Sequence, residues 1–287
     1  MNYRLTRCGL LILVSLAVWG GGNPSAKSYR PADQQGGQKS NAPADPKAPR
    51  DESLTSEEYI RLGLAAPDRE WSGNDFVEAE KVLASLTQKG YRQLPRYQSE
   101  RSGEVFARLT SPQNLNLFRN RSLPLDARLP QSLSYLQAGN QIFKLYLSAF
   151  LKKEARDSEL VELMGAQFRA TVVVLELVDE FLPTIKKDDP KYQVRMQGLE
   201  QMKRGLASVV AGGLMTITER ESYRRSELAR LISYMQETFP LIVPRLPLDS
   251  GAETLIRLEK LQADSAMKDL QPVLRELQLK VKASVPK

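Results

Sequence analysis

The chain of 287 residues contains no histidine and a single cysteine, Cys8. These two absences exclude whole classes of chemistry. A zinc site built from His and Cys has no ligands. Ser-His-Asp and Cys-His nucleophilic centres have no base. The two-His, one-carboxylate iron site and the Glu-x-x-His di-iron helix motif are excluded in the same way. No G-x-G-x-x-G or Walker A pattern occurs, so no nucleotide cofactor is implied. No metal or other cofactor is expected.

Long apolar runs are also scarce. Leu206–Ile217 is apolar but too short to span a bilayer. The first segment is different. Arg4 and Arg7 precede the apolar stretch Cys8–Trp19, and Gly20, Gly21 and Gly22 follow. This order resembles a signal peptide, with Val18 and Gly20 at the −3 and −1 positions, so cleavage is expected after Gly20. Cys8 precedes the apolar core and does not suit a lipoprotein acceptor. The mature chain then has no thiol and no transmembrane span. Its expected location is periplasmic or extracellular, with possible attachment to the envelope.

Residues 21–54 carry Pro24, Pro31, Pro43, Pro46 and Pro49 among Gly, Gln, Ser and Asp, with Tyr29 and Leu54 as the only large apolar residues. Such a composition buries too little surface to offset the entropy of ordering, and it predicts a disordered linker.

Residues 55–287 read as one all-α domain, an antiparallel bundle of about five long helices. Thr55 with Glu58 forms a capping box and Gly63 a stop. Ser72 opens a helix with Phe76, Ala79, Leu83 and Leu86 on one face, and Gly90 ends it. Apolar residues recur at three and four in five later segments. These start near Pro130, Asp157, Asp189-Pro190, Ser222 and the Ser250–Glu253 capping box. Pro240, Pro244 and Pro247 are expected to break the chain, with a further kink or break near Pro272. Each helix is expected to be polar on one face.

Three features could carry function. First, residues 91–130 read as irregular, with Glu104–Leu109 the best strand candidate. They contain Arg92, Arg96, Arg101, Arg108, Arg119, Arg121 and Arg128, no lysine, and only Glu100, Glu104 and Asp126 as acids. Arginine without lysine suits bidentate pairing with carboxylate or phosphate. Arg96, Arg101, Arg119 and Arg121 are the candidate anion-binding residues. The competing reading pairs them with bundle acids such as Asp157, Glu159 and Glu162. Second, Gly198, Gly205 and Gly212 lie seven apart, close to one helix face. Each interior glycine costs about 1 kcal/mol relative to alanine. A closely packed neighbouring helix would offset that, as would a groove for a ligand or a second subunit. Third, a carboxylate pair could run hydrolysis without histidine, and acids are plentiful, for example Glu176, Asp179 and Glu180, but charges at this spacing usually form a solvated face and nothing singles out a pair. The two Ser-x-x-Lys matches, at Ser265 and Ser284, are no more than Ser and Lys abundance predicts.

The expectation is an exported, non-enzymatic binding or structural module of the cell envelope. Its partner would be an anionic envelope component or another protein, and not nucleic acid. The alternative is a carboxylate-dependent hydrolase acting on sugar or peptide.

Overall fold

A computed structural model of the chain describes residues 51–88, 90–152, 156–218 and 220–285. The expected signal segment 1–20 and all but the last four residues of the expected linker lie outside the described residues. Those last four belong to the fold. Ser53 is fully buried, and its hydroxyl meets Ser102 Oγ at 2.8 Å, while Asp51 accepts from Ser99. Polar anchoring holds this stretch, which a count of apolar residues does not detect.

The described residues form ten α-helices and no strand. A first short helix, α1 (Ser56–Arg61), starts at the Thr55–Glu58 capping box and ends before Gly63, whose φ of +107° suits glycine. Helix α2 (Gly73–Thr87) starts at a second capping box, Ser72 with Asp75. Then come α3 (Gly103–Thr110), a 3-10 turn at Pro112–Leu115, and the single-turn α4 (Asn116–Arg119). The long elements are α5 (Leu125–Leu151), α6 (Asp157–Phe181), α7 (Tyr192–Thr218) and α8 (Arg225–Ile242). Helices α9 (Leu248–Ala263) and α10 (Gln271–Ser284) complete the domain.

The all-α bundle is therefore present, with several local differences from the sequence reading. The 91–130 stretch is largely helical. Glu104–Leu109 lies in α3, where Val105, Phe106, Leu109 and Thr110 are buried. Spacings of one, four and five make a helical face, which short alternation had disguised. Pro130 and Pro240 lie inside helices, and the α9 cap is Pro247 rather than Ser250. Arg156, Tyr192 and Arg225 displace Asp157, Asp189-Pro190 and Ser222 at the other starts by one to three residues. Near Pro272 the expected kink or break is a break: the segment forms two helices, with Pro272 in the first turn of α10. Proline there loses no intrahelical bond.

Helix α6 sits at the centre. It packs against α5 on one side and α8 on another, α2 covers α5, and α10 covers α8. Between Glu159 and Val178 only Arg169 and Glu176 escape burial. The expectation of a polar face fails for this helix, because neighbours surround it on all sides. Helix α7 is different: it buries one stripe, Leu199, Met202, Leu206, Val210, Leu214 and Ile217, against α6 and α9.

The glycine reading needs one correction. A Cβ at Gly212 would meet nothing within 4 Å, so Gly212 is no packing contact. The packed residue is its neighbour Gly213, whose Cβ would come within 2.6 Å of Phe168 Cζ and 2.8 Å of Met235 Cε. Gly198 and Gly205 are half-buried. The two adjacent glycines give a paired test. Gly212→Ala should stabilise by up to about 1 kcal/mol through helix propensity alone. Gly213→Ala should destabilise by about 1–3 kcal/mol, because the Phe168 ring cannot retreat freely. Urea denaturation of both variants distinguishes these signs; equal shifts would show that α7 does not pack as described.

Candidate binding cleft

The arginines of 91–130 separate into two groups along α6. Arg96 and Arg101 lie by the irregular segment 51–55 that opens the domain. Arg101 Nε donates to Ser53 O at 2.8 Å and its guanidinium is 3.9 Å from Glu58. Arg96 Nε is 4.0 Å from Asp51. The backbone N–H of the next residue, Tyr97, reaches Glu159 at the start of α6. Arg119 instead makes a bidentate pair with Glu176, at 3.0 and 3.2 Å, near the other end of α6. Glu159 and Glu176 are separated by about 26 Å of helix at 1.5 Å per residue. The four candidates therefore do not converge on one site. Arg121 is exposed, and its charge helps hold the Glu180 carboxyl below its usual range.

The pairing reading fits three of these four arginines, but with different acids from those expected. Asp157, Glu159 and Glu162 serve other donors. Arg224 makes two hydrogen bonds to Asp157, at 2.7 and 3.1 Å. Burial opposes ionisation of Asp157, yet the Arg224 hydrogen bonds outweigh it and hold the carboxyl below its ordinary range. The most committed arginine is Arg128, only 4% exposed. It bonds Glu180 at 2.5 and 3.2 Å and also donates to the carbonyls of Leu123 and Phe118. Glu176, Asp179 and Glu180, considered as a hydrolytic cluster, are each tied to an arginine: Arg119, Arg245 and Arg128.

A cleft of about 710 Å³ opens between α3, α6, α8 and the turn at Pro67-Asp68. That volume is in the usual range for small-ligand sites. Its floor is built on Gly165 of α6. The Tyr234 ring of α8 lies against this glycine, so closely that a Cβ would come within 2.5 Å of Cδ2. From there the Tyr234 hydroxyl donates to Glu162, at 2.8 Å from one carboxylate oxygen and 2.9 Å from the other. Burial, reinforced by the Glu162 carboxylate, pushes the Tyr234 hydroxyl up to about 12. It therefore stays protonated and remains a donor at any ordinary pH. Arg230 Nε is 3.2 Å from Glu162, its other arm bonds Glu227, and it covers the Tyr97 ring at 4.9 Å.

Two arginines lining the cleft have no acid. Arg169 lies over the Tyr234 ring at 5.0 Å and gives one N–H to Thr110 O at 3.2 Å, while its Nε is buried without a partner. Arg108 gives Nε to Pro67 O at 2.7 Å. Neither makes an ion pair among the described residues. Asp68 and Glu104 stand exposed at the rim. Sequence reasoning counted Arg108 in its stretch but did not single it out, and it missed Arg169 and Tyr234. The available signal was Arg169, the one basic residue of α6, placed between Phe168 and Ala170. Among the described residues no group of His, Cys, Asp and Glu could hold a metal ion, and no helix is long and apolar enough to cross a membrane.

Two predictions follow from these ion pairs. Arg128→Ala should cost about 2–3 kcal/mol, since it strands two carbonyls and leaves a void. Arg119→Ala, at a half-exposed pair, should cost under about 1 kcal/mol. Equal losses in denaturant midpoint would contradict the burial difference. The second concerns pH. Arg69 donates to Asp75 and, against the opposing effect of burial, lowers its carboxyl to about 2; Arg128 lowers Glu180 and Arg204 lowers Asp249. Depressed carboxylates add stability above their unfolded values near pH 4 and lose it as pH falls towards 2. The chain has no histidine, the side chain whose ordinary range lies between about pH 5 and 7. Stability should be flat there and fall only below about pH 4. A step near pH 6 in a series of urea midpoints would refute this.

Comparison with known proteins gives no match: no family model fits the sequence, and no curated protein or solved structure is similar to it.

Proposed function

We propose that the chain is an exported, non-enzymatic protein of the cell envelope that binds an anionic component through the cleft between α3, α6 and α8. The observation that carries the reading is the Arg108–Arg169 pair. Arg92, Arg96, Arg101, Arg119 and Arg128 of the 91–130 stretch face Glu52, Asp51, Glu58, Glu176 and Glu180, and Arg121 stands exposed at the surface. These two keep N–H groups for a ligand, and Arg169 is held in place by the Tyr234 ring. A planar guanidinium with free donors suits a carboxylate or phosphate group. Support for export comes from the basic start and apolar core of residues 1–20.

A hydrolase would need two free carboxyl groups flanking a scissile bond. Glu162 is bound by Tyr234 and Arg230, and Asp68 and Glu104 are exposed at the rim. That arrangement favours binding over proton transfer.

Titrating the full chain with inorganic phosphate and with succinate, at low and high salt, tests the reading. The expected result is a saturable, salt-sensitive shift of the Arg169 Nε–H resonance. Arg169→Gln and Arg108→Gln should each weaken binding about tenfold, or about 1.4 kcal/mol. Arg119→Ala should leave it unchanged. Absence of saturation with either anion, or full affinity in both Gln variants, would overturn the assignment. Binding of phosphate alone or succinate alone would name the anion class.

A further inference from the structure

A second concavity of about 280 Å³ lies between α2, α5, α6 and α7, on the other side of the central helix from the cleft. Gln167 faces it and Arg169 faces the cleft; two residues along a helix are about 200° apart. The groove and the cleft are therefore separate, and either can fail without the other.

Carboxamides dominate the groove: Gln137, Asn140 and Gln141 from α5 and Gln167 from α6. Leu133, Leu136, Leu206 and Val209 form aliphatic walls. Gly205 lies beside Leu206, so the central glycine of the heptad series borders a groove. Glu80 is the only charged residue in the lining, which contains neither a cation nor an aromatic ring.

Two of these amides are unusual. Gln167 is 8% exposed, and its side chain makes no hydrogen bond with the described residues. Helix α5 makes room for it with Gly139, where a Cβ would overlap Gln167 Nε2. Gln137 Nε2 is buried and also has no partner. A buried amide without a partner is costly, and an aliphatic side chain would fill the same space at lower cost. Gln137 Nε2 is such a group, and the Gln167 amide stands beside it at the wall of the same groove without a protein partner; together they point to a ligand that completes them.

We propose that this groove binds an uncharged, extended peptide segment. Each carboxamide both donates and accepts, which matches the N–H and C=O of a peptide backbone. The aliphatic walls accommodate one Leu- or Val-type side chain. An anion would meet Glu80 with no cation to offset it, and a sugar would find no ring to stack on.

The test uses the full chain and the probe N-acetyl-leucine methylamide, followed through the side-chain NH2 resonances of Gln137 and Gln167. For a ligand of this size an ordinary efficiency per atom corresponds to a dissociation constant of about 1 mM. Both NH2 pairs should shift saturably. Gln167→Met, which keeps the shape and removes the amide, should melt at or above the wild-type temperature and bind at least about tenfold more weakly. Gly205→Leu should fill the groove and abolish the shifts. The proposal is overturned if the shifts do not saturate, if Gln167→Met binds as tightly as wild type, or if methyl glucoside or acetate competes more strongly than the peptide probe. A lowered melting temperature in Gln167→Met would also overturn it, by showing that the fold itself satisfies the amide.

Discussion

Burial of α6 from Glu159 to Val178, broken only at Arg169 and Glu176, is the constraint on which the rest of this structure depends. A helix surrounded on every side can hold polar groups only where a neighbour meets them. Glu159 and Glu162 are inside, and the protein satisfies them with the Tyr97 backbone, Tyr234 and Arg230. These partners come from the 91–130 stretch and from α8, far from α6 in sequence. The same contacts fix how α3 and α8 sit against the central helix, and so they shape the cleft.

Small residues on α6 and its neighbours set the approach distances. Gly165 admits the Tyr234 ring, Gly139 admits the Gln167 amide, and Gly213 admits Phe168 and Met235. In each case a large side chain on one helix occupies the space a Cβ would take on another. Glycine is tolerated there because the packing gain offsets its weak helix propensity. At the cleft, Arg169 lies over the Tyr234 ring, which in turn rests against Gly165.

The arginine-rich stretch shows both uses of one residue type. Arg128 is internal and ties the entry of α5 to the end of α6 through Glu180 and two carbonyls. Arg96 and Arg101 hold the first residues of the domain by hydrogen bonds and weak ion pairs. Arg108 differs because its carbonyl partner leaves it a full positive charge to present. Charge excess in a sequence segment thus marked a region where both kinds occur, and did not distinguish them.

The sequence determined the helical class, the Thr55–Glu58 capping box, the helix start at Ser72 and the apolar stripes, because each depends on residues a few positions apart. Leu228, Leu231, Met235 and Phe239 of α8 are buried as their spacing required. The absence of histidine settled which chemistries are unavailable without any structure. The helix over Glu104–Leu109 escaped detection because six residues fit both periods, and only burial against α6 decides between them. Helix starts near Asp189, Ser222 and Ser250 were misplaced by a few residues, since capping side chains are common and local pattern cannot say which one is used. The cleft residues Arg108, Arg169 and Tyr234 come from three separate helices, and no local spacing relates them. Gly212 and Gly213 are adjacent in sequence, yet one is open and the other is tightly packed. Helix rotation against its neighbours decides that difference, and the tertiary structure alone sets that rotation.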